Sequence, residues 1–194
     1  MAIGEKFPQV LLAAQLGAEW AWEVIYRDLS PAVIGYLRLH GVLEPEDLTG
    51  EVFVHVVRGL RNFSGDEAQF RSWVFLIAHH RMIDDRRARL RRPIDALEAE
   101  TIERHGPVAN AEEEALHQLS IAEVRRALGS LSEAQREVLL LRIVAGLTLE
   151  ETSRIVGRRV GSVKALQRRG IAAIRRNGLY AISESAPNLA ADVA

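Results

Sequence analysis

The sequence predicts an all-α protein made of two small helical domains joined by a flexible acidic linker, with a helix-turn-helix as the second domain. Apolar residues recur at helical spacing along almost the whole chain, and no segment keeps the two-residue alternation of a strand. The 194 residues, 48% of them apolar, suffice for one medium domain or two small ones. Two basic segments flank an acidic one, which divides the chain into three parts.

The first domain is predicted over residues 8–92 as a block of helices. One helix carries Trp22, Tyr26 and Leu29 and is expected to end at Pro31, after which a second runs to Gly41. A third helix opens at Pro45, a favourable first-turn position. Asp66 and Gln69 resemble a capping pair at the start of a fourth helix, which becomes rich in arginine and stops at Pro93.

Residues 93–114 are predicted to be the linker, because they hold seven acidic residues against one arginine and show no long apolar stripe. The second domain is expected over residues 115–178, with helices from Leu116 to Leu128, Ser132 to Ala145, Thr148 to Val156 and about Val160 to Arg176. Capping boxes are expected at Ser132 with Gln135 and at Thr148 with Glu151. Residues 179–194 are interpreted as a frayed tail.

The net charge of −1 conceals two strongly basic segments. Residues 71–92 carry a balance of +5, and residues 154–176 carry +8 with no acidic residue. Cations without acidic neighbours form no ion pairs along their own helix, so the second segment indicates nucleic-acid binding. In this helix-turn-helix, Ile155, Val160, Val163 and Leu166 are expected to pack inward, leaving Arg159, Ser162, Lys164, Gln167, Arg168 and Arg169 on the other faces.

In the first domain, aromatic residues stand close to cations. Phe63, Phe70, Trp73 and Phe75 precede His79, His80 and Arg81, and such a combination could stack unpaired bases and hold their phosphates. Taken singly, most of these rings would be core residues.

The sequence offers little for catalysis. It lacks cysteine, which excludes a disulfide scaffold, a thiol nucleophile and a cysteine-ligated zinc site. It also lacks a glycine-rich phosphate loop and an HExxH motif. No enzymatic activity, cofactor or metal is therefore expected, although a helical metal-dependent hydrolase built on His79, His80 and Asp84 stays as an alternative. The early apolar run, Phe7 to Ala18, is too short to span a membrane, so no membrane insertion is expected.

Several runs of the chain are typical of one known protein family. In the first domain these are Glu46-Asp-Leu-Thr-Gly-Glu-Val-Phe, Phe70-Arg-Ser-Trp-Val-Phe-Leu-Ile-Ala and Asp84-Asp-Arg-Arg. In the second domain they are Leu131-Ser-Glu-Ala-Gln-Arg-Glu-Val-Leu-Leu-Leu and the helix-turn-helix containing Val160-Gly-Ser-Val-Lys. The first set resembles region 2 and the second set region 4 of the extracytoplasmic-function sigma factors of bacterial RNA polymerase, which belong to the sigma-70 family. The resemblance covers about residues 17–176 in the family's order.

The resemblance implies a transcription initiation factor that binds core polymerase, reads minus-10 and minus-35 promoter elements and promotes strand opening. Its implied partners are the β′ clamp helices and β flap of core RNA polymerase, promoter DNA and an anti-sigma factor, with a cytoplasmic, nucleoid-associated location. An autonomous helix-turn-helix regulator with a helical sensor or dimerisation domain is the alternative.

The resemblance also implies roles for individual residues. Gly50 and His80 depart from the family pattern, in which glutamine and asparagine are frequent at these positions. The implied core-binding residues are Asp47, Leu48, Glu51 and Phe53. The implied minus-10 residues are Phe63, Phe70, Arg71, Trp73, His79, His80, Arg81, Arg86 and Arg87, from the fourth helix and the loop before it, and the implied minus-35 residues are Arg158, Arg159, Ser162, Lys164, Arg168 and Arg169.

Overall fold

A computed structural model describes residues 3–91, 124 and 127–176. The described residues form helices and turns and contain no strand, which confirms the predicted fold class. The predicted linker, most of the helix expected from Leu116 to Leu128 and the predicted tail lie outside the described residues. The helices are a 3-10 turn at Gly4–Lys6, α1 (Phe7–Gln15), α2 (Glu19–Leu39), α3 (Pro45–Leu60), α4 (Glu67–Arg91), α5 (Glu133–Ile143), α6 (Leu149–Val156) and α7 (Val160–Arg176).

Helix α2 runs without a break through Pro31, so the predicted end at this proline is wrong. A proline inside a helix costs about 3 kcal/mol, through one lost hydrogen bond and a steric clash. Ile25 and Leu29 before it and Val33 and Leu37 after it are all buried, and each large aliphatic side chain gains about 1.5 to 3 kcal/mol on burial. The stripe on both sides of Pro31 therefore outweighs the cost, and the exposed proline ring leaves the packing intact.

The first domain is built around α2, which contacts α1, α3 and α4. The apolar run that starts at Phe7 forms α1, with Phe7, Val10, Leu11 and Ala14 buried. The expected capping pair at the start of α4 is confirmed: the Gln69 backbone N–H donates to Asp66 Oδ1 at 2.8 Å, and the Asp66 N–H donates to Gln69 Oε1 at 2.9 Å.

The second domain consists of α5 and the predicted helix-turn-helix, formed by α6 and α7, which packs against α5. Both expected capping boxes, at Ser132 and at Thr148, are present. Helix α6 ends at Gly157, whose φ of +64° is the left-handed conformation that glycine adopts at helix C-termini. The backbone then turns through Arg158 and Arg159 into α7, which packs across α5 and α6.

The two domains contact each other. Helix α2 packs against α5, and α4 packs against α6, so one continuous group of buried apolar residues includes members of both domains. At this contact, Gly35 of α2 faces Val144 at the end of α5. A Cβ added at Gly35 would lie 3.8 Å from Val144 Cγ1. Among the described residues, no helix is long and apolar enough to cross a membrane.

Gly170 marks the closest approach of α7 to α5. A Cβ added there would lie 2.7 Å from Leu139 Cδ1, and Leu139 is itself fully buried. We expect Gly170→Ala to lower the free energy of unfolding by about 1 to 3 kcal/mol through overpacking, measured by urea denaturation. Gly161 lies in the same helix with open space around its Cβ position, so Gly161→Ala should raise stability by about 0.5 to 1 kcal/mol. Equal effects of the two substitutions would contradict this packing.

Candidate nucleic-acid interface

Helix α7 and the turn before it present a basic surface. All six predicted minus-35 residues are exposed. Within residues 3–91 and 127–176, no ion pair joins Arg159, Lys164, Arg168 or Arg169 to an acidic side chain. Like charges crowded on one face without counter-charges repel one another, and an anionic ligand such as the DNA backbone relieves that repulsion.

Two residues of α7 are not placed as expected. Val160 is 37% exposed rather than packed inward, because it stands at the first position of the helix. Gln167 is only 2% exposed rather than on an outer face. Its Oε1 accepts a hydrogen bond of 3.0 Å from Nε of the buried Arg142, whose guanidinium also donates to the Leu147 carbonyl. The buried arginine needs acceptors, so the glutamine turns inward and joins α7 to α5.

On the first domain, one aromatic pair remains accessible. The rings of Phe63 and Trp73 are partly exposed and stacked, with centroids 5.2 Å apart and planes inclined by 24°. Phe70 is 1% exposed and packs behind them, 5.1 Å from Phe63 and 5.7 Å from Trp73. Phe75 is fully buried. The accessible pair lies beside the turn at residues 61–66, which connects α3 to α4.

The predicted minus-10 arginines of α4 form ion pairs, unlike Arg168 and Arg169 of α7 in the part of the chain that the structure describes. Arg71 lies 3.3 Å from Asp28, and Arg87 lies 3.9 Å from Asp84 one turn earlier. Burial raises the pKa of Asp28, and the Arg71 guanidinium acts in the opposite direction. The two remaining predicted arginines also form ion pairs, Arg81 with Glu51 of α3 and Arg86 with Glu133 of α5. The predicted minus-10 residue His80, on the same helix, is exposed.

His79 is buried at the contact between the domains. Its Nδ1 lies 3.1 Å from the Tyr36 hydroxyl, and its Nε2 lies 3.3 Å from Glu137 Oε1. Burial, with His80 nearby, lowers the pKa of His79 to about 4, so the ring is neutral at pH 7. Nδ1 then accepts from Tyr36 while Nε2–H donates to Glu137. Burial raises the pKa of both Tyr36 and Glu137.

Within the described part of the chain, no three histidine or acidic side chains come together in a group that could hold a metal ion. The rings of His79 and His80 lie 6.1 Å apart and are tilted by 48°. Both ring nitrogens of His79 already face protein partners.

The predicted core-binding residues divide between surface and interior. Asp47 and Glu51 are exposed on α3, whereas Leu48 is 8% and Phe53 is 6% exposed. Phe53 also lines a shallow groove between α2 and α3, in which the rings of Tyr26 and Phe53 lie 4.7 Å apart. Sequence reasoning missed this groove, although glutamates and aromatic residues recur four residues apart at its edge. Its lining residues are Glu19, Trp22, Glu23, Tyr26, Phe53 and Val57.

Comparison with known proteins gives two family matches and several relatives. Residues 25–92 match Sigma-70 region 2, and residues 121–174 match Sigma-70, region 4. The chain is 36% identical to the ECF RNA polymerase sigma factor ShbA of Streptomyces griseus, over 67% of this chain and 69% of ShbA. It is 31% identical to BldN of Streptomyces coelicolor, over 88% of this chain and 65% of BldN, and 31% identical to SigD of Mycobacterium tuberculosis, over 87% and 82%.

Two solved structures share the fold. CnrH, solved in complex with the cytosolic domain of CnrY, aligns with a TM-score of 0.62 at 21% identity, over 87% of this chain and 94% of CnrH. The sigma factor RpoE of Bartonella quintana, solved with the anti-sigma factor NepR, aligns with a TM-score of 0.61 at 20% identity, over 80% and 94%.

The buried His79 gives the protein a defined sensitivity to acid. Its folded pKa of about 4 lies below the unfolded value of 6.5, so the unfolded chain binds more protons between these pH values. The contribution of His79 to the free energy of unfolding is therefore fully present above pH 6.5 and is lost as the pH drops toward 4. When the pH is lowered from 7 to 5, the free energy of unfolding measured by urea denaturation should fall in the wild type. We expect this fall to be about 1 to 2 kcal/mol smaller in His79→Gln.

The exposed His55 supplies the control, and His55→Gln should follow the wild-type profile. Tyr36 and Glu137 face His79 from α2 and α5, and His80 adjoins it on α4. His40, whose pKa burial lowers to about 3 with a contribution from His79, packs against Tyr36 and keeps its own acid sensitivity in both variants. The raised pKa of Glu137 acts in the opposite direction, because it costs stability as the pH rises through its own titration. Parallel profiles for His79→Gln and wild type would contradict the assignment.

Proposed function

The chain belongs to the extracytoplasmic-function sigma factors of the sigma-70 family, which direct RNA polymerase to promoters, and we propose which of its surfaces perform each step. The first domain binds core polymerase through α3 and reads the minus-10 element through α4 and the turn at residues 61–66. The second domain reads the minus-35 element through α7. The chain itself acts as a non-enzymatic factor in the cytoplasm, at the nucleoid.

The observation that carries this proposal is the basic face of α7. It stands on the second helix of a helix-turn-helix, the element that enters the major groove in this motif. Lys164, Arg168 and Arg169 are exposed at spacings of four and one residues, which suits contacts to successive bases. Arg158, Arg159 and Ser162 lie at the start of the helix and suit phosphate contacts.

For the minus-10 element, we assign base stacking to Phe63 and Trp73. Their partly exposed, stacked rings offer a π surface to an unpaired base, and each such contact is worth about 1 to 3 kcal/mol. The buried Phe70 supports both rings from behind. His80 and the arginines of α4 supply donors for the phosphates of the same strand, once the ion pairs exchange acidic partners for DNA.

For core binding, we assign the groove between α2 and α3 together with the acids on α3. The groove combines an apolar floor with Glu19 and Glu23, and Asp47 and Glu51 add further exposed negative charge. An apolar and basic helical partner would complement both features, as the β′ clamp helices are expected to do. Leu48 and Phe53 hold α3 in place from below.

Reading both promoter elements requires the two domains to separate. Element centres about 25 base pairs apart are about 85 Å apart along B-DNA, at 3.4 Å per base pair. In the compact arrangement described here, the domains touch, and Arg86 and His79 of α4 face Glu133 and Glu137 of α5. We therefore assign this arrangement to the free factor.

We also propose an anti-sigma factor as a partner of this chain. The support is the likeness to RpoE of Bartonella quintana, which was solved in complex with the anti-sigma factor NepR.

The decisive experiment is co-purification with core polymerase, followed by run-off transcription on genomic fragments. A sigma factor should transfer promoter-specific initiation to core enzyme that has none. An autonomous regulator should instead bind a palindromic site without polymerase and leave the run-off pattern of core unchanged, which would refute the proposal.

Core binding should depend on the exposed acid of α3. Asp47→Arg reverses a negative charge on the exposed surface of α3 that we propose faces a basic partner, so we expect at least about tenfold weaker binding to core, measured by fluorescence anisotropy. Glu5→Arg, an equal charge change on the exposed 3-10 turn, is the control and should bind as wild type. Asp47 is the better target, because Glu51 already pairs with Arg81. Equal affinities for the two variants would rule out this docking face.

Base preference at the minus-35 element should depend on Arg168. A bidentate arginine contact to guanine discriminates by about 1 to 3 kcal/mol, so Arg168→Ala should change which base is preferred at one position. Arg159→Ala should weaken all sequences alike and reduce the salt slope by about one unit. Arg159 is a cleaner comparison than Arg158, whose charge lowers the pKa of Glu137. If both variants weaken all sites equally, Arg168 contacts phosphate only.

A further inference from the structure

Helix α1 is tied to the turn at residues 61–66 by one side chain. Gln15, the last residue of α1, donates from Nε2 to the carbonyl of Leu60 at 3.0 Å and to the carbonyl of Phe63 at 2.8 Å. The Leu60 carbonyl stands at the end of α3, where it also accepts the Phe63 N–H, and the Phe63 carbonyl lies within the turn. One amide group thus fixes the distance between the end of α3 and the middle of the turn.

Two further contacts join the N-terminal segment to the start of α4. The carboxylate of Glu67, in the first turn of α4, accepts hydrogen bonds from the backbone N–H of Ile3 at 2.6 Å and of Gly4 at 2.9 Å. The ring of Phe7 packs against Phe70 with centroids 5.6 Å apart. Phe70 in turn contacts both Phe63 and Trp73.

Apart from the Asp66–Gln69 capping pair and the packing of the Phe63 ring on Phe70 and Trp73, little else fixes the conformation of the turn. Its own backbone supplies two short-range hydrogen bonds, from Asn62 N–H to the Gly59 carbonyl and from Phe63 N–H to the Leu60 carbonyl. Asn62 and Ser64 are exposed. A segment that recognises bases must hold its donors and rings within about 0.5 Å of the productive geometry, so its support matters.

We infer that Gln15 is a positioning residue for minus-10 recognition: by anchoring the Leu60 and Phe63 carbonyls, α1 fixes the turn that presents Phe63 to the opened strand. This inference rests on the proposed function of the turn. The region 2 match begins at residue 25, within α2, so α1 lies outside the matched segment. A purely apolar side chain at this position could pack α1 but could not donate to the two carbonyls that the half-buried Gln15 amide binds.

The test compares Gln15→Met with Gln9→Met in the full chain assembled with core polymerase. Methionine retains the length and packing volume of glutamine but removes both donors, and Gln9 is exposed on the same helix. The probe is a promoter fragment that the wild-type holoenzyme transcribes, with 2-aminopurine in the non-template strand of the minus-10 element. Its fluorescence reports unstacking of the bases.

We expect Gln15→Met to lower the open-complex equilibrium constant by about tenfold and to flatten its preference among single-base minus-10 variants, as the loss of two hydrogen bonds predicts. Core affinity and minus-35 preference should stay within about twofold of wild type. Gln9→Met should behave as wild type throughout. Glu67→Gln, which weakens the second tie, should shift open-complex formation in the same direction by about threefold.

Two results would overturn the inference. One is an unchanged minus-10 preference in Gln15→Met. The other is an equal loss of core binding, minus-35 binding and strand opening together with a lower melting temperature, which would make Gln15 a general stabilising residue. Failure of the proposed function is distinguishable, because the wild-type chain itself would then give no promoter-specific run-off product.

Discussion

The fold depends on the burial of one continuous apolar stripe along α2. Helices α1, α3 and α4 of the first domain and α5 of the second all contact this helix. The stripe extends from Ala21 to Leu37 and passes Pro31 without interruption, because residues on both sides of the proline are buried in the core. A break in α2 would separate the two halves of that stripe, and the domain would lose its common surface.

Helix α4 shows how one element serves both stability and recognition. Its inner face, with Phe70, Val74 and Ala78, is core, and its outer face carries the arginines. Near the middle of α4, His79 lies at the edge of the first domain and its Nε2 contacts Glu137 of the second domain. The neutral histidine is satisfied on both nitrogens, so the contact between the domains has the hydrogen bonds that a buried polar group needs. Part of the surface proposed to read the minus-10 element is also engaged in this contact, because Arg86 pairs with Glu133.

The two basic segments differ in what balances their charge. In α4, acidic side chains of α2, α3, α4 and α5 pair with the arginines. The exposed pairs among them contribute about 0 to 1 kcal/mol each, so exchanging those pairs for phosphate contacts costs little, whereas the Arg71–Asp28 pair is largely buried. In α7, the described residues offer no such partners to Arg159, Lys164, Arg168 or Arg169. The basic face of the second domain can thus bind an anion directly. In the first domain, the arginines of α4 have to break their ion pairs before they can bind phosphate.

The sequence by itself determined the helical class, the helix-turn-helix, the three capping boxes and the basic face of α7, because these depend on local spacing and on charges close together in the chain. Tertiary structure alone decided that α2 continues through Pro31, since the compensating burial comes from other helices. It also decided that Gln167 turns inward to Arg142 and that His79 meets Tyr36 and Glu137. These partners are 25, 43 and 58 residues apart in the chain, and no local pattern specifies which distant polar groups will share a buried site.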